Sequence, residues 1–372
     1  MKVYKFGGAS VQNADSVRNL GAIVGREPHR PLVLVVSAMG KMTNALEEVA
    51  EDANGASSAL QTVLDFHLDI ARDLMGSVPQ EVNDLLSELV ATARQRGTDK
   101  SAHYDQIVAF GELLSTQIIA LWLRRTSRIH WKDARRLVVT DDRHQSATVQ
   151  WSLTESRVRE AFGASDLYIT QGFIGGTTAG ATTTLGREGS DFTAAVLAHC
   201  LGALDVTVWK DVPGIMNADP KVMPGARKID FLSYDEVTEM AYFGAKVIHA
   251  KTLAPLAKRE IPLYVRSFLD PQGHGSVVGN RRMSSDIACF LYRYNQVLVT
   301  LRSQGSALLP KSVITELLYE LRRLGITTNL FQHSALSFSF CFDLKPGWRD
   351  ALVGHCEGKF DLYYNEGLHL AT

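Results

Sequence analysis

An α/β domain with a largely parallel sheet covered by helices on both faces, followed by a smaller ferredoxin-like α+β module, is the fold class this sequence predicts. Three observations carry it. Short apolar runs rich in β-branched residues alternate with stretches of helical spacing along most of the chain, the signature of strands covered by helices. A Gly-rich stretch, Gln272 to Asn280, then breaks the rhythm. Beyond it the order becomes strand, helix, strand, strand, helix, strand, which is the order of a ferredoxin-like module.

The buried strands are expected at Val3 to Phe6, Leu32 to Ser37, Leu137 to Thr140, Leu167 to Phe173, Val206 to Trp209 and Ile261 to Ser267. Between them, helical spacing runs over Ala14 to Gly25, Ala45 to Ala53, an extended pair from Ser58 to Ala93, Tyr104 to Arg125, Asp191 to Leu201 and Ala245 to Arg259. In the second module the strands are Val297 to Leu301, Thr327 to Leu330, Ala335 to Phe342 and a last one near the end, with a helix over Lys311 to Leu324 and a short one before the last strand. The domain boundary falls between 275 and 292, giving residues 1–280 and 281–372. There is no tandem repeat and no low-complexity segment.

Composition narrows the function. The 372 residues are 45% hydrophobic and 21% charged with a formal net charge of -1, so neither nucleic acid nor an anionic membrane is expected as the main partner. A small anionic ligand in a local basic pocket fits better. Cys200, Cys289, Cys341 and Cys356 are widely spaced without C-x-x-C, which speaks for reduced, structural thiols. None of the eleven histidines, His249 included, stands in a metal-ligand spacing. The chain opens on a strand-like run and holds no uncharged run of eighteen residues, so a cytosolic enzyme is expected.

Chemistry-bearing residues gather at the expected strand ends. The first strand runs into Lys5-Phe6-Gly7-Gly8-Ala9-Ser10, where glycines permit close backbone approach and a lysine can neutralise a transferring phosphoryl group; two glycines after a strand also make an ordinary tight turn. It is neither of the common nucleotide fingerprints, G-x-x-x-x-G-K-[ST] or G-x-G-x-x-G. The second strand ends in Ser37-Ala38-Met39-Gly40-Lys41-Met42-Thr43-Asn44, hydroxyl and small residues that serve either a ligand or a turn and cap.

Phe110-Gly111-Glu112 puts a glycine inside a helix, at about 1 kcal/mol relative to alanine, either to make room for a ligand beside Glu112 or for a neighbouring helix. Leu185-Gly186-Arg187-Glu188-Gly189-Ser190-Asp191 combines a forked carboxylate-gripping guanidinium with residues that could simply cap the following helix. Trp209-Lys210-Asp211-Val212-Pro213-Gly214 and Asn217-Ala218-Asp219-Pro220-Lys221 read as a strand end and a turn-rich loop, and Gly244-Ala245-Lys246-Val247-Ile248-His249 as a helix start with a lysine at its positive end.

In order along residues 1 to 270, these segments resemble the aspartate kinases of the amino-acid kinase superfamily: K-F-G-G-x-S, V-V-S-A-M, F-G-E, G-R-x-G-S-D, K-D-V-x-G, D-P and G-A-K-V. The resemblance implies a three-layer α/β/α fold, with the acceptor on the N-terminal lobe, ATP on the C-terminal lobe, and an ACT module at the C-terminus. It implies transfer of the ATP γ-phosphate, with Mg2+, to the β-carboxylate of L-aspartate, the first step towards lysine, threonine and methionine.

Carried over by position, Lys5 is the catalytic lysine and Asp191 organises it. Ser37, Thr43, Glu112, Arg187 and Ser190 hold aspartate. Lys5, Gly7, Gly8, Ser10, Lys210, Asp211, Gly214, Asp219, Lys221 and Lys246 border the nucleotide, and no protein metal site is expected. The sequence departs from the pattern at Ala9, where threonine is usual, at Glu188, where glycine is common, and at Lys221, where arginine often follows D-P. Only one ACT-like module is present where the family usually carries two, and a homodimer through that module is expected. The rival readings are a kinase of glutamate or N-acetylglutamate and a catalytically silent amino-acid sensor.

Overall fold

The computed structural model describes residues 1–29, 31–52, 58–95, 97–163, 166–245, 247–280, 287–304, 308–356 and 360–372. Contacts divide the chain into two units. The first holds Met1–Met216, Arg227–Ala241 and Lys246–Ile287; the second holds Asn217–Ala226, Tyr242–Ala245 and Ala288–Thr372. Two short loops inside the first 280 residues thus cluster with the C-terminal unit, an excursion that a single sequence boundary does not express.

In chain order the first unit begins with β1 (Lys2–Phe6), a 3-10 turn (Gly8–Val11), α1 (Ala14–Arg26), β2 (Leu32–Val36), α2 (Met42–Glu51), α3 (Ser58–Met75), α4 (Gln80–Arg94) and α5 (Lys100–Leu123). There follow β3 (Ile129–Lys132), α6 (Ala134–Leu137), α7 (Trp151–Ala161), β4 (Leu167–Gln171), the hairpin β5 (Ile174–Gly176) and β6 (Thr182–Thr184), α8 (Gly189–Leu201) and β7 (Asp205–Lys210). It continues through the ribbon β8 (Ile215–Met216) and β9 (Lys228–Ile229), then β10 (Phe231–Ser233), α9 (Tyr234–Tyr242), α10 (Ala250–Ala257), β11 (Leu263–Ser267) and β12 (Ser276–Gly279).

Eight of these strands form one sheet in the order β10-β12-β11-β7-β1-β2-β4-β3. Every pairing is parallel except β11 with β12. The fully buried run Leu-Val-Leu-Val-Val of β2 is what a parallel strand covered on both faces requires. Side chains alternate across the sheet: Tyr4, Phe6, Leu34 and Val36 join α1 to α5 in one core, while Lys5 faces the side on which α8 lies.

Several sequence expectations need correction. Leu137 to Thr140 is not a sheet strand: Leu137 closes α6, and Val139 and Thr140 make only isolated bridges to Gly176 and Val149. The edge strand is β3, whose Ile-His-Trp-Lys sequence is too short and polar to show as an apolar run. The stretch Gln272 to Asn280 is no mere break, because Ser276–Gly279 pairs with β10 and β11. Gly244, Ala245, Val247, Ile248 and His249 are not helical; α10 starts at Ala250, with the His249 side chain accepting from the Lys251 N–H as its cap. Ala53 and Lys246 lie outside the described residues.

The second unit carries β13 (Tyr292–Ser303), α11 (Lys311–Arg323), β14 (Thr328–His333), β15 (Ser337–Asp343), α12 (Trp348–Cys356) and β16 (Phe360–Ala371). The sheet order β14-β15-β13-β16 is antiparallel throughout. Alternate residues Val297, Val299 and Leu301 of β13 and Phe338, Phe340 and Phe342 of β15 pack with Ile314, Leu317 and Leu321 of α11 and Leu352 of α12. This is the ferredoxin-like arrangement of the ACT-like module.

Helix α5 is the helix among the described residues that is long and apolar enough to cross a bilayer, but 83% of that apolar stretch is buried inside the protein. It is buried nearly all round, as expected of a helix in the middle of a core. Its Gly111 allows the fit: an added Cβ would lie 2.8 Å from the Ala38 Cβ and 3.1 Å from Leu46 Cδ1. The helix-packing alternative and the ligand alternative are thus the same feature, because this contact seats the neighbouring Glu112 against the end of β2. Gly111→Ala gains about 1 kcal/mol of helix propensity but overpacks a rigid contact at about 1–3 kcal/mol. The expected result in urea denaturation is net destabilisation.

Candidate active site

The site grows from the carboxyl ends of adjacent strands β1, β2, β4 and β7. Past β1 the chain turns so tightly that a Cβ on Gly8 would fall 2.7 Å from the Gly40 carbonyl oxygen, and Gly40 N–H donates to the Gly8 carbonyl at 3.0 Å. Only glycine lets these two strand-end loops meet so closely. A Cβ on Gly7 would stand 3.4 Å from the Lys5 ammonium, so this glycine leaves the ammonium's approach clear. On the far side, a Cβ on Gly172 would overlap Ser190 at 2.5 Å, which seats the start of α8 against the end of β4.

Asp191, in the first turn of α8, is the centre of charge. It is 1% exposed and lies 2.6 Å from Lys5 Nζ and 3.3 Å from Lys210 Nζ. The ammoniums stand at ion-pair distance, although neither carboxylate oxygen receives a hydrogen bond of good angle. Burial by itself would raise the Asp191 carboxyl, but Lys5 and Lys210 more than reverse this and hold it below its ordinary value. The two lysines come from neighbouring parallel strands, β1 and β7.

Beside this triad lies a cavity of about 490 Å³ lined by Lys5, Ser37, Thr43, Glu112, Arg187, Ser190 and Asp191, with Glu47, Tyr104, Gln145, Phe173, Thr184, Gly186, Glu188 and Gly189 completing its wall. Glu112 is 2% exposed. Its Oε1 accepts from the Ala38 N–H at 3.1 Å, and its Oε2 is buried without a hydrogen-bond partner. Burial pushes its carboxyl up to about 8, against the opposing pull of the Ala38 N–H and of Lys5. Arg187 is exposed to this cavity and forms no ion pair among the described residues. The site therefore offers a buried carboxyl oxygen without a partner and an exposed guanidinium outside any ion pair among the described residues.

The structure thus brings together in one cavity Lys5, Asp191 and all five residues read as acceptor ligands. The nucleotide-side residues are less concentrated. Ser10 donates its hydroxyl to the Trp209 carbonyl at 3.2 Å, which ties the first turn to β7. Gly214 is buried, a Cβ there would meet Ser276 Oγ at 2.4 Å, and its φ is 155°, so packing and backbone conformation account for this glycine. Asp211 is exposed just past β7. Asp219 and Lys221 belong to the second unit, where Asp219 Oδ1 accepts from the Lys221 N–H at 2.9 Å. Lys246 lies outside the described residues.

Sequence reasoning missed Glu47, Tyr104, Gln145 and Thr184. Tyr104 donates its hydroxyl to Glu47 Oε1 at 2.6 Å. No spacing rule joins these positions, because the two helices, the loop and the strand that carry them meet only in the folded chain. Glu188 has a sequence-readable explanation in reverse: its φ of 56° is left-handed, a conformation that favours glycine, and glycine is the residue common at this place in the pattern it departs from.

The model of the amino acid kinase family matches residues 1–267. Lysine-sensitive aspartokinase 3 of Escherichia coli is 35% identical over 351 residues, covering 92% of this chain and 78% of that protein. The chain belongs to the amino acid kinase family, among its aspartokinases. The crystal structure of E. coli aspartokinase III in complex with aspartate and ADP superposes with a TM-score of 0.84 at 32% identity, over 100% of this chain and 86% of that one. The chloroplastic bifunctional aspartokinase/homoserine dehydrogenase 1 of Arabidopsis thaliana is 29% identical over 363 residues, and the chain spans 40% of its length.

For an aspartokinase, the buried carboxylate between two lysines is an electrostatic device with a pH signature. A depressed carboxyl stabilises the folded state above the unfolded value, near 4, and that stability is lost as pH falls through the folded value. Asp191→Asn leaves two lysines without their shared counter-charge. It is expected to cost about 3 kcal/mol at neutral pH, with the gap to wild type closing in acid below about pH 4. Thermal denaturation across pH 3 to 8 measures both.

Proposed function

We infer that this chain is an aspartate kinase that transfers the γ-phosphate of ATP to the β-carboxylate of L-aspartate, giving 4-phospho-L-aspartate and ADP. The observation that carries it is the pairing of opposite needs across one cavity. Among the described residues Glu112 Oε2 is buried without a hydrogen-bond partner, Arg187 makes no ion pair, and Lys5 stands at the cavity's edge. Such a cavity suits a zwitterion with one further carboxylate: Glu112 takes the ammonium, Arg187 takes the α-carboxylate as a bidentate pair, and Ser37, Thr43 and Ser190 supply hydroxyls.

The β-carboxylate is already ionised at neutral pH and needs no base. The barrier is the approach of two anions, and Lys5 lowers it by standing where negative charge accumulates. Asp191 holds Lys5 in place, and Lys210 and Asp211 lie on the nucleotide side at the end of β7, with Gly7 and Gly8 giving the phosphates backbone approach. Among the described residues no cluster of three His, Cys, Asp or Glu could cage a metal. Mg2+ would be carried on the phosphates of ATP, where it would supply charge neutralisation. Asp219, Lys221 and Lys246 remain assigned to the nucleotide by their place in the motif order.

Cys200 and Cys341 are buried thiols outside any disulfide, which suits the reducing cytosol. In the ACT-like unit Leu298, Leu330 and Tyr363 are exposed on one face of the sheet, by their register across β15 and β13, which supports a homodimer through that module.

The deciding experiment is ATP-dependent acyl phosphate formation trapped as the hydroxamate, with L-aspartate set against L-glutamate and N-acetyl-L-glutamate. Turnover with aspartate well above the other two is expected; turnover led by another acid would replace the acceptor, and none with any acid would favour a silent sensor. Lys5→Ala should lower kcat by about a thousand-fold or more while KM for aspartate moves only a few-fold.

Glu112 adds a pH test. Because its raised carboxyl holds a proton below about 8, and an incoming ammonium favours the ionised form, aspartate affinity should improve as pH rises. KM should fall about five-fold between pH 7 and 8. Glu112→Gln should raise KM and flatten this dependence.

A further inference from the structure

One buried carboxylate is not used by this mechanism. Asp105, on α5, is fully buried and accepts from two backbone N–H groups and a threonine hydroxyl, with a histidine ring beside it. Oδ1 accepts from Thr184 Oγ1 at 2.7 Å, Oδ2 from the Thr184 N–H at 3.1 Å, and both oxygens from the Gln145 N–H at 3.1 Å. His144 Nδ1 lies 2.7 Å from Oδ2 and donates there in the tautomer protonated at Nδ1. A buried charge needs this many donors to offset its desolvation. The question is why the fold places one here.

Its partners give the answer. Gln145 and Thr184 both line the acceptor cavity, and they lie on separate segments that Asp105 joins. Gln145 is held at φ 65°, a left-handed conformation that a glutamine keeps only when its surroundings impose it. Its carbonyl packs against Gly186, where a Cβ would come within 3.0 Å, and Gly186 leads directly into Arg187. Seven residues further along α5, two turns on and the same face of the helix, stands Glu112. One rigid helix thus carries Glu112 itself and, through Asp105, Thr184 and Gly186, fixes the turn that presents Arg187.

We propose that Asp105 is a positioning residue that sets acceptor length, by holding Glu112 and Arg187 at a fixed distance from Lys5 across the cavity through its grip on the Gln145 and Thr184 segments. The proposal rests on the aspartate kinase reading, in which those two groups grip the ammonium and α-carboxylate and leave the side-chain carboxylate to reach the phosphate. Aspartate and glutamate differ by one methylene, so a pocket that discriminates between them must hold its ends at a fixed spacing. A methylene in a matched pocket is worth roughly 10- to 200-fold. Loosening the spacing should forfeit part of that factor.

The test is the ratio of kcat/KM for L-aspartate to that for L-glutamate, together with KM for aspartate and for ATP, in wild type, Asp105→Asn and His144→Phe. The ratio is independent of how much of a preparation is folded, so a merely structural role would leave it unmoved. His144 does not line the cavity but stands against Asp105 and next to Gln145, so its effect reaches the cavity through the Asp105-held segment. We expect Asp105→Asn to lower the ratio about ten-fold and to raise KM for aspartate at least five-fold with KM for ATP within two-fold; His144→Phe should move the same quantities about three-fold and decides the matter if the asparagine variant does not fold. An unchanged ratio, or both KM values rising together, overturns the proposal. Absence of aspartate turnover in wild type instead removes the kinase reading, and this inference with it.

Discussion

The structure is organised around one electrostatic constraint, the placement of the Asp191 carboxylate between Lys5 and Lys210 with almost no access to water. A buried ion pair is a poor way to gain stability, since desolvation consumes most of the Coulomb attraction. It is a good way to hold an ammonium at a fixed point of an anion-handling site. To make the arrangement, β1 and β7 must be parallel neighbours with their carboxyl ends level, which the register of Phe6 with Trp209 provides. The first turn of α8 must then reach that edge, and the glycines at 172 and 189 let it do so: a Cβ at Gly189 would meet Phe173 at 2.7 Å. Three elements and two glycines serve one carboxylate.

How much of this the sequence discloses depends on the range of the interaction concerned. The strands β1, β2, β4 and β7 are visible because burial on both faces forces long apolar runs, and β11 because its buried residues alternate along the strand. The edge strand β3 and the short β12 are hidden because a strand that is short, or flanked on one side only, needs no such run. The Leu137 to Thr140 stretch misleads for the opposite reason: it is apolar and buried, but α6 and two isolated bridges satisfy it. In the ferredoxin-like unit, the alternation of Phe338, Phe340 and Phe342 shows plainly because one face of that sheet lies on helices.

The site divides along the same line. Lys5, Glu112, Arg187 and Asp191 sit within local motifs whose order along the chain already points to a phosphotransferase of a small acid, and the fold brings them to one cavity. Glu47, Tyr104, Gln145 and Thr184 carry no local signal, since each owes its place to a contact made between distant segments. Gly111 and Gly214 show that a glycine in a motif does not announce its own role: both answer to packing in the fold, one against Ala38 and the other against Ser276. At Gly111 packing and function coincide, because the helix must come close for Glu112 to reach the Ala38 N–H.

Helix α5 therefore does more than fill the core. An apolar helix buried on all sides could be replaced by many sequences of similar volume, yet this one carries two buried carboxylates on one face, Asp105 and Glu112. They differ in what surrounds them. Asp105 is saturated with donors from the protein, which suits a group whose task is to keep two loops still. Glu112 is left with one oxygen unpartnered and its carboxyl raised to about 8, which suits a group whose missing donor arrives with a ligand. Ionising the unsatisfied carboxyl is costly in the empty protein and is favoured by an incoming ammonium, so affinity is drawn from a deficit that the rigid, satisfied neighbour keeps from relaxing.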